Sequence, residues 1–140
     1  MLPPLSGVKP KRPRDIPDDA DEKWYLTEHS KAKHETLRRY LGAWLAILGQ
    51  GRGGHWWDKL YLVDAFAGRG IYMGGEPGSP QIMFDRSVEV VKTGRAKNVV
   101  IRCAEPSKGN YAYLKDVCAG LAHKNVRSRF GRVSRPCLRV

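Results

Sequence analysis

Gly68 and Gly70 are two apart in Asp64-Ala65-Phe66-Ala67-Gly68-Arg69-Gly70, a spacing that makes a tight turn and lets a ligand approach the backbone without meeting a Cβ. Glu105 follows the apolar segment Asn98 to Ala104. A carboxylate there can accept two hydrogen bonds from the vicinal hydroxyls of a ribose, which makes Glu105 the candidate partner of a nucleoside cofactor. The dinucleotide version of the turn wants a third glycine three positions on, where Met73 stands, and no G-x-x-x-x-G-K-S/T phosphate loop occurs. The turn therefore suits a cofactor without a pyrophosphate, such as S-adenosylmethionine, whose charged groups are an amine, a carboxylate and a sulfonium. Asp64, at the end of the preceding apolar run, can face that amine. A bare G-x-G also has a structural explanation, a tight turn with no ligand.

Other chemistry is excluded residue by residue. His34-Glu35-Thr36-Leu37-Arg38 begins like the H-E-x-x-H of a zinc protease, but Arg38 replaces the second imidazole. Cys103, Cys118 and Cys137 match no C-x-x-C pattern and read as buried or incidental thiols, so no metal site is expected.

The elements that must position these residues are legible from periodicity. Leu37, Tyr40, Leu41, Trp44, Leu45 and Leu48 form the apolar stripe of an amphipathic helix from Ser30 to Gln50, with Thr27 or Ser30 as its cap. His29 and Lys33 are four apart and share one face of its start. Lys59 to Phe66 reads as a buried strand delivering the glycine turn. Ser79 as cap and Pro80 at the first helical position predict a second helix, ending at Gly94. Asn98 to Ala104 reads as a second strand, Ser107 as the cap of a third helix through Tyr111, Leu114, Cys118 and Leu121, and Val126 to Phe130 as a third strand. Strand, glycine turn, helix, strand, acid, helix is the order of an α/β parallel sheet, Rossmann-like.

In this setting the sequence resembles a known family. The run from Asp64 to Gly70 is similar to the first motif of class I S-adenosylmethionine-dependent methyltransferases. Together with His29-Ser30-Lys31-Ala32-Lys33-His34, Tyr40-Leu41-Gly42-Ala43-Trp44-Leu45 and Gly75-Glu76-Pro77-Gly78-Ser79-Pro80, it resembles the three-Cys-motif partner protein family over roughly residues 24 to 130. The resemblance implies a Rossmann-like methyltransferase fold, with Asp64, Phe66, Gly68 and Gly70 at the methionine end of an S-adenosylmethionine pocket and Glu105 on the ribose. It also places His29 and Lys33 near the same cleft, and implies a three-Cys-motif protein as partner. A complete domain of this class has seven strands and places its substrate-side motif after the fourth. The chain accordingly reads as an N-terminal fragment truncated after about strand three and lacking the catalytic motif, with Arg132 where relatives tend to carry an acid. Full-length relatives would transfer a methyl group, nucleic acid being one acceptor class.

Composition bounds the rest. The chain has 140 residues, 25 basic and 14 acidic, for a net charge of +11, room for one domain. Residues 1 to 23 read as a disordered Pro-rich charged lead-in, residues 24 to 130 as the partial Rossmann domain, and residues 131 to 140 as a basic irregular tail that reads as out of frame. Gly51-Arg52-Gly53-Gly54 and Trp56-Trp57 read as a flexible helix-to-strand connection with its aromatics tucked into the core, in preference to a nucleic-acid patch. No run approaches the roughly 20 apolar residues of a membrane span, and no secretory signal is visible, so the chain reads as cytoplasmic. The competing reading is a basic nucleic-acid- or protein-binding module without cofactor. Two or three strands would leave an open edge and an uncovered sheet face, so low stability or aggregation is expected unless a partner covers them.

Overall fold

A computed structural model describes residue 17, residues 20–50 and residues 57–132 of the chain. Most of the lead-in, the stretch from Gly51 to Trp56, the end of the basic tail and Cys137 lie outside the described residues. The element order is α1 (Glu28–Gln50), β1 (Leu60–Asp64), α2 (Ser79–Lys92), β2 (Val99–Ala104), α3 (Lys108–Ala119) and β3 (Val126–Gly131), preceded by a 3-10 turn over Asp21–Trp24. The architecture is α/β, with a parallel sheet in the order β1-β2-β3, as in part of a Rossmann-like fold.

Register follows from burial. Leu60, Val99 and Val126 are aligned across the three strands, as are Leu62, Ile101 and Ser128 one pleat further on. These rows point to the covered face. The aligned residues one position on, Tyr61, Val100, Arg127 and then Val63, Arg102, Arg129, point to the other. Because successive strands are neighbours, right-handed crossovers put both connecting helices on the same face. The core bears this out, with Leu45 of α1, Met83 and Val90 of α2, and Leu114 of α3 clustered on Leu62, Val99 and Ile101. α1 packs chiefly on α2. Among the described residues no helix is long and apolar enough to cross a membrane.

The helix ends are set locally. Thr27 Oγ1 accepts a hydrogen bond from the Ser30 backbone N–H at 3.2 Å, so α1 starts two residues earlier than the sequence suggests. Its stripe buries Leu41 and Leu45 and half-buries Leu37, Trp44 and Leu48, whereas Tyr40 falls at the margin and is exposed. Ser107 caps α3 as expected, accepting from the Asn110 N–H at 3.4 Å. Ser79 does not cap α2. Gly78 takes that position with no side-chain bond, Ser79 and Pro80 open the helix, and the Ser79 hydroxyl donates to Asp64 Oδ2 instead. Such a charge-assisted bond is about twice as strong as a neutral one and sets the direction of the hydroxyl.

Cys103 on β2 and Cys118 on α3 are both buried and meet in the core between sheet and helix. The neighbouring Cys118 sulfur, together with burial, pushes the Cys103 thiol above its ordinary range. They are packing residues. Among the described residues no group of three or more His, Cys, Asp or Glu side chains could hold a metal.

Candidate functional site

The carboxyl ends of β1 and β2 bring the glycine turn and the acid together. Ala67 N–H donates to the Ala104 carbonyl at 3.0 Å, continuing the pairing of the two strands into the turn. Glu105, 6% exposed, then accepts the Gly68 N–H on Oε2 and the Ser107 N–H on Oε1, each at 2.8 Å. A carboxylate has about four acceptor positions, so two remain after these bonds. Two backbone N–H donors satisfy the buried carboxylate and offset its desolvation. Glu105 therefore has a structural task, holding the turn against the start of α3, alongside any ligand task.

The turn itself needs glycine at Gly68, where φ is +63° and an added Cβ would lie 2.1 Å from the Trp24 indole. Gly70 is likewise left-handed, at φ +76°. The indole is thus in close contact with the Gly68 Cα, on the side where a ligand would approach the backbone. Trp24 is held there by its carbonyl, which accepts the Met73 N–H at 2.7 Å, and by Arg69. Arg69 is 2% exposed. Its Nη1 donates to Asp21 Oδ1 at 2.7 Å and its Nε to Asn110 Oδ1 at 3.1 Å, and the guanidinium lies 4.3 Å from the Tyr113 ring centroid and 5.5 Å from that of Trp24. A planar, permanently charged group with a fork of donors can tie three segments at once, which Lys could not do.

Asp64 sits at the end of β1, half-buried, accepting the Phe66 N–H on Oδ1 and the Ser79 hydroxyl on Oδ2. Phe66 is 82% exposed beside the turn. The structure thus gathers Asp64, Phe66, Gly68, Gly70 and Glu105 at one corner of the sheet. It leaves His29 and Lys33 exposed on α1, outside the residues that line the neighbouring depression. That depression, about 360 Å³, lies between α1 and the loop before α2, and is lined by Lys31, His34, Arg38 and Glu76 among others. His34 packs edge-on to Tyr72 at 5.5 Å between ring centroids, with Nε2 3.4 Å from the phenol oxygen. Burial, and secondarily Arg38, lowers the His34 pKa, while burial raises that of Tyr72.

Sequence reasoning missed the residues that close the corner from outside, Asp21, Trp24, Arg69 and Asn110. Only Arg69, inside the glycine run, carried a local signal. The others reach the turn from 48 and 41 residues away along the chain, for Asp21 and Asn110 respectively, and no periodicity reports such pairings.

Comparisons of the chain with protein-family models, with curated proteins and with solved structures found no match to any of them.

Proposed function

We propose that the corner formed by the carboxyl ends of β1 and β2 is a binding half-site for S-adenosylmethionine in a methyltransferase-like protein. The observation that supports it most is the hydrogen-bonded junction of Gly68 with Glu105, at the sheet edge where open α/β sheets receive ligands. The donor set fits the cofactor's ribose, because Glu105 keeps two acceptor positions, and exposed Phe66 offers an apolar ring beside it. Asp64 would attract the amine of the methionine end. The approach to Gly68 is filled by the Trp24 indole, so binding would require that ring to swing away. When bound, the cofactor supplies an electrophilic methyl on a sulfonium. Acceptor recognition and the transfer step would belong to residues not found in this corner.

Calorimetric titration of the folded chain with S-adenosylhomocysteine tests the reading. Saturable binding is expected, weakened at least tenfold by Glu105→Gln and by Asp64→Asn and tightened by Trp24→Ala, with circular dichroism showing each variant folded. A folded wild-type chain that takes up no ligand, in the Trp24→Ala background as well, would sink it.

A further inference from the structure

The face of the sheet opposite the helices is a surface with a definite chemistry. Tyr61 is 53% and Val63 70% exposed on it, although both sit in a strand whose alternate residues Leu60 and Leu62 are buried. Beside them in register stand Arg102, Arg127 and Arg129, all exposed. Lys59 and Lys124 extend the same surface, and these five cations with Tyr61 line a depression of about 190 Å³ to which no carboxylate contributes. None of the five makes an ion pair with a carboxylate among the described residues. The Arg102 guanidinium lies over the Tyr61 ring, 5.8 Å from its centroid. A second groove, along the outer edge of β3, is lined by Lys124, Arg127 and Arg129 again, with His123.

The charge decides what can cover this face. An apolar helix laid across it would desolvate three guanidinium groups with no counter-charge, at a cost of several kcal/mol each. The occupant has to bring anions in a row. It also has to suit a flat, three-stranded surface that inserts nothing into a groove but offers an aromatic plane and an apolar valine between cations. A single strand of nucleic acid meets both demands, since its phosphates track the arginines while an unpaired base stacks on Tyr61. Rows of the sheet stand ~6.6 Å apart along the strands, so Arg127 and Arg129 can engage separate phosphates. We propose that the open sheet face, centred on Tyr61, Arg102, Arg127 and Arg129, binds single-stranded nucleic acid. This surface is formed by the exposed side of the strands and does not depend on the cofactor reading of the Gly68 corner.

The test is fluorescence anisotropy of the full chain with labelled single-stranded oligonucleotides of about 16 nucleotides, across a salt series. Each phosphate neutralised on a single strand contributes about −0.7 to the slope of log K against log salt, so replacing Arg102, Arg127 and Arg129 together by Ser is expected to flatten it by about 2 and to weaken binding more than tenfold. Tyr61→Ala is expected to weaken it about tenfold and Tyr61→Phe to leave it within twofold, as stacking requires. Four results would overturn the proposal: no binding by the folded wild-type chain; the triple variant binding like wild type while Arg135→Ser with Arg139→Ser loses binding; poly-glutamate competing as well as the oligonucleotide with Tyr61→Ala silent; or sedimentation showing a wild-type dimer that the triple variant converts to monomer. S-adenosylhomocysteine titration of the triple variant separates the two sites, since a change there would report damage to the Gly68 corner.

Discussion

Single side chains in this molecule show how strongly the interior selects among polar groups. Buried Arg69, Asn110, Ser87 and Glu105 all have partners, Ser87 donating to the Met83 carbonyl at 2.7 Å. The Ser128 hydroxyl does not. It lies buried on the covered face of β3, aligned with Ile101, and has no hydrogen-bond partner. A buried donor and acceptor left unsatisfied costs about 1–3 kcal/mol, whereas an apolar group of similar size costs nothing for desolvation. Ser128→Ala is therefore expected to stabilise the fold by about 1 kcal/mol, visible as a higher urea midpoint at unchanged m. A lower midpoint would mean that the hydroxyl is satisfied in solution. Asp64 and Ser79 carry the complementary lesson: the sequence reading assigned Ser79 to its own helix terminus, and a carboxylate from β1, 15 positions earlier, claimed it instead.

Between elements, the tightest approach is the end of α1 against the turn that follows α2. Gly49 faces the Arg95 carbonyl, and a Cβ built there would lie 2.1 Å from that oxygen and 2.9 Å from the Ala96 Cβ. The absence of a side chain lets a 23-residue helix lie along α2 down to its last turn. Gly49→Ala would gain about 1 kcal/mol in helix propensity. It would also force backbone apart, and overpacking typically costs 1–3 kcal/mol, the upper part of that range applying where the obstacle is main chain. The net expectation is destabilisation by about 1–2 kcal/mol, read from thermal unfolding, with an unchanged or higher midpoint showing that α1 and the turn can separate freely. The existence and type of all six elements could be read from local signals: the 3–4 spacing of Leu37 to Leu48 and of Tyr111 to Leu121, the Ser79-Pro80 start and Gly94 stop of α2, the apolar runs Leu60–Val63 and Val99–Ile101, and the short segment Val126 to Phe130. The ends set by distant partners could not: Gly78 takes the cap position of α2 while its N–H donates to the Gly70 carbonyl, and the Gly131 carbonyl at the end of β3 accepts the Glu105 N–H.

Across the whole molecule, stability couples to pH through His34. Its imidazole is partly enclosed against Tyr72, and burial and Arg38 lower its pKa below the ordinary 6.5. The unfolded chain thus takes up a proton before the folded chain does. This contribution to stability is present above about pH 6.5 and is lost as pH falls through that value towards the folded pKa. Urea midpoints should decline between pH 7.5 and 5, and His34→Gln should flatten the decline; parallel profiles would assign it to other groups. The sheet is also lopsided at this scale, with all the packing among the described residues on one side. The sequence-based expectation of an uncovered face is met, but the face is basic as well as apolar, which shifts the expected consequence from simple aggregation towards an anionic partner.

By itself the sequence determined the α/β class, the order of strands and helices, and the proximity of the Gly68–Gly70 turn to the end of a strand, because these follow from local periodicity and from residues close along the chain. It also marked Glu105 as the acid after β2. Only the tertiary structure decided what that acid touches, that Trp24 packs on Gly68, that Arg69 ties Asp21 to Asn110, and that Arg102, Arg127 and Arg129 share one face with Tyr61. Those are encounters between residues far apart in the chain, set by strand register and helix packing, and no local pattern of residue types encodes them.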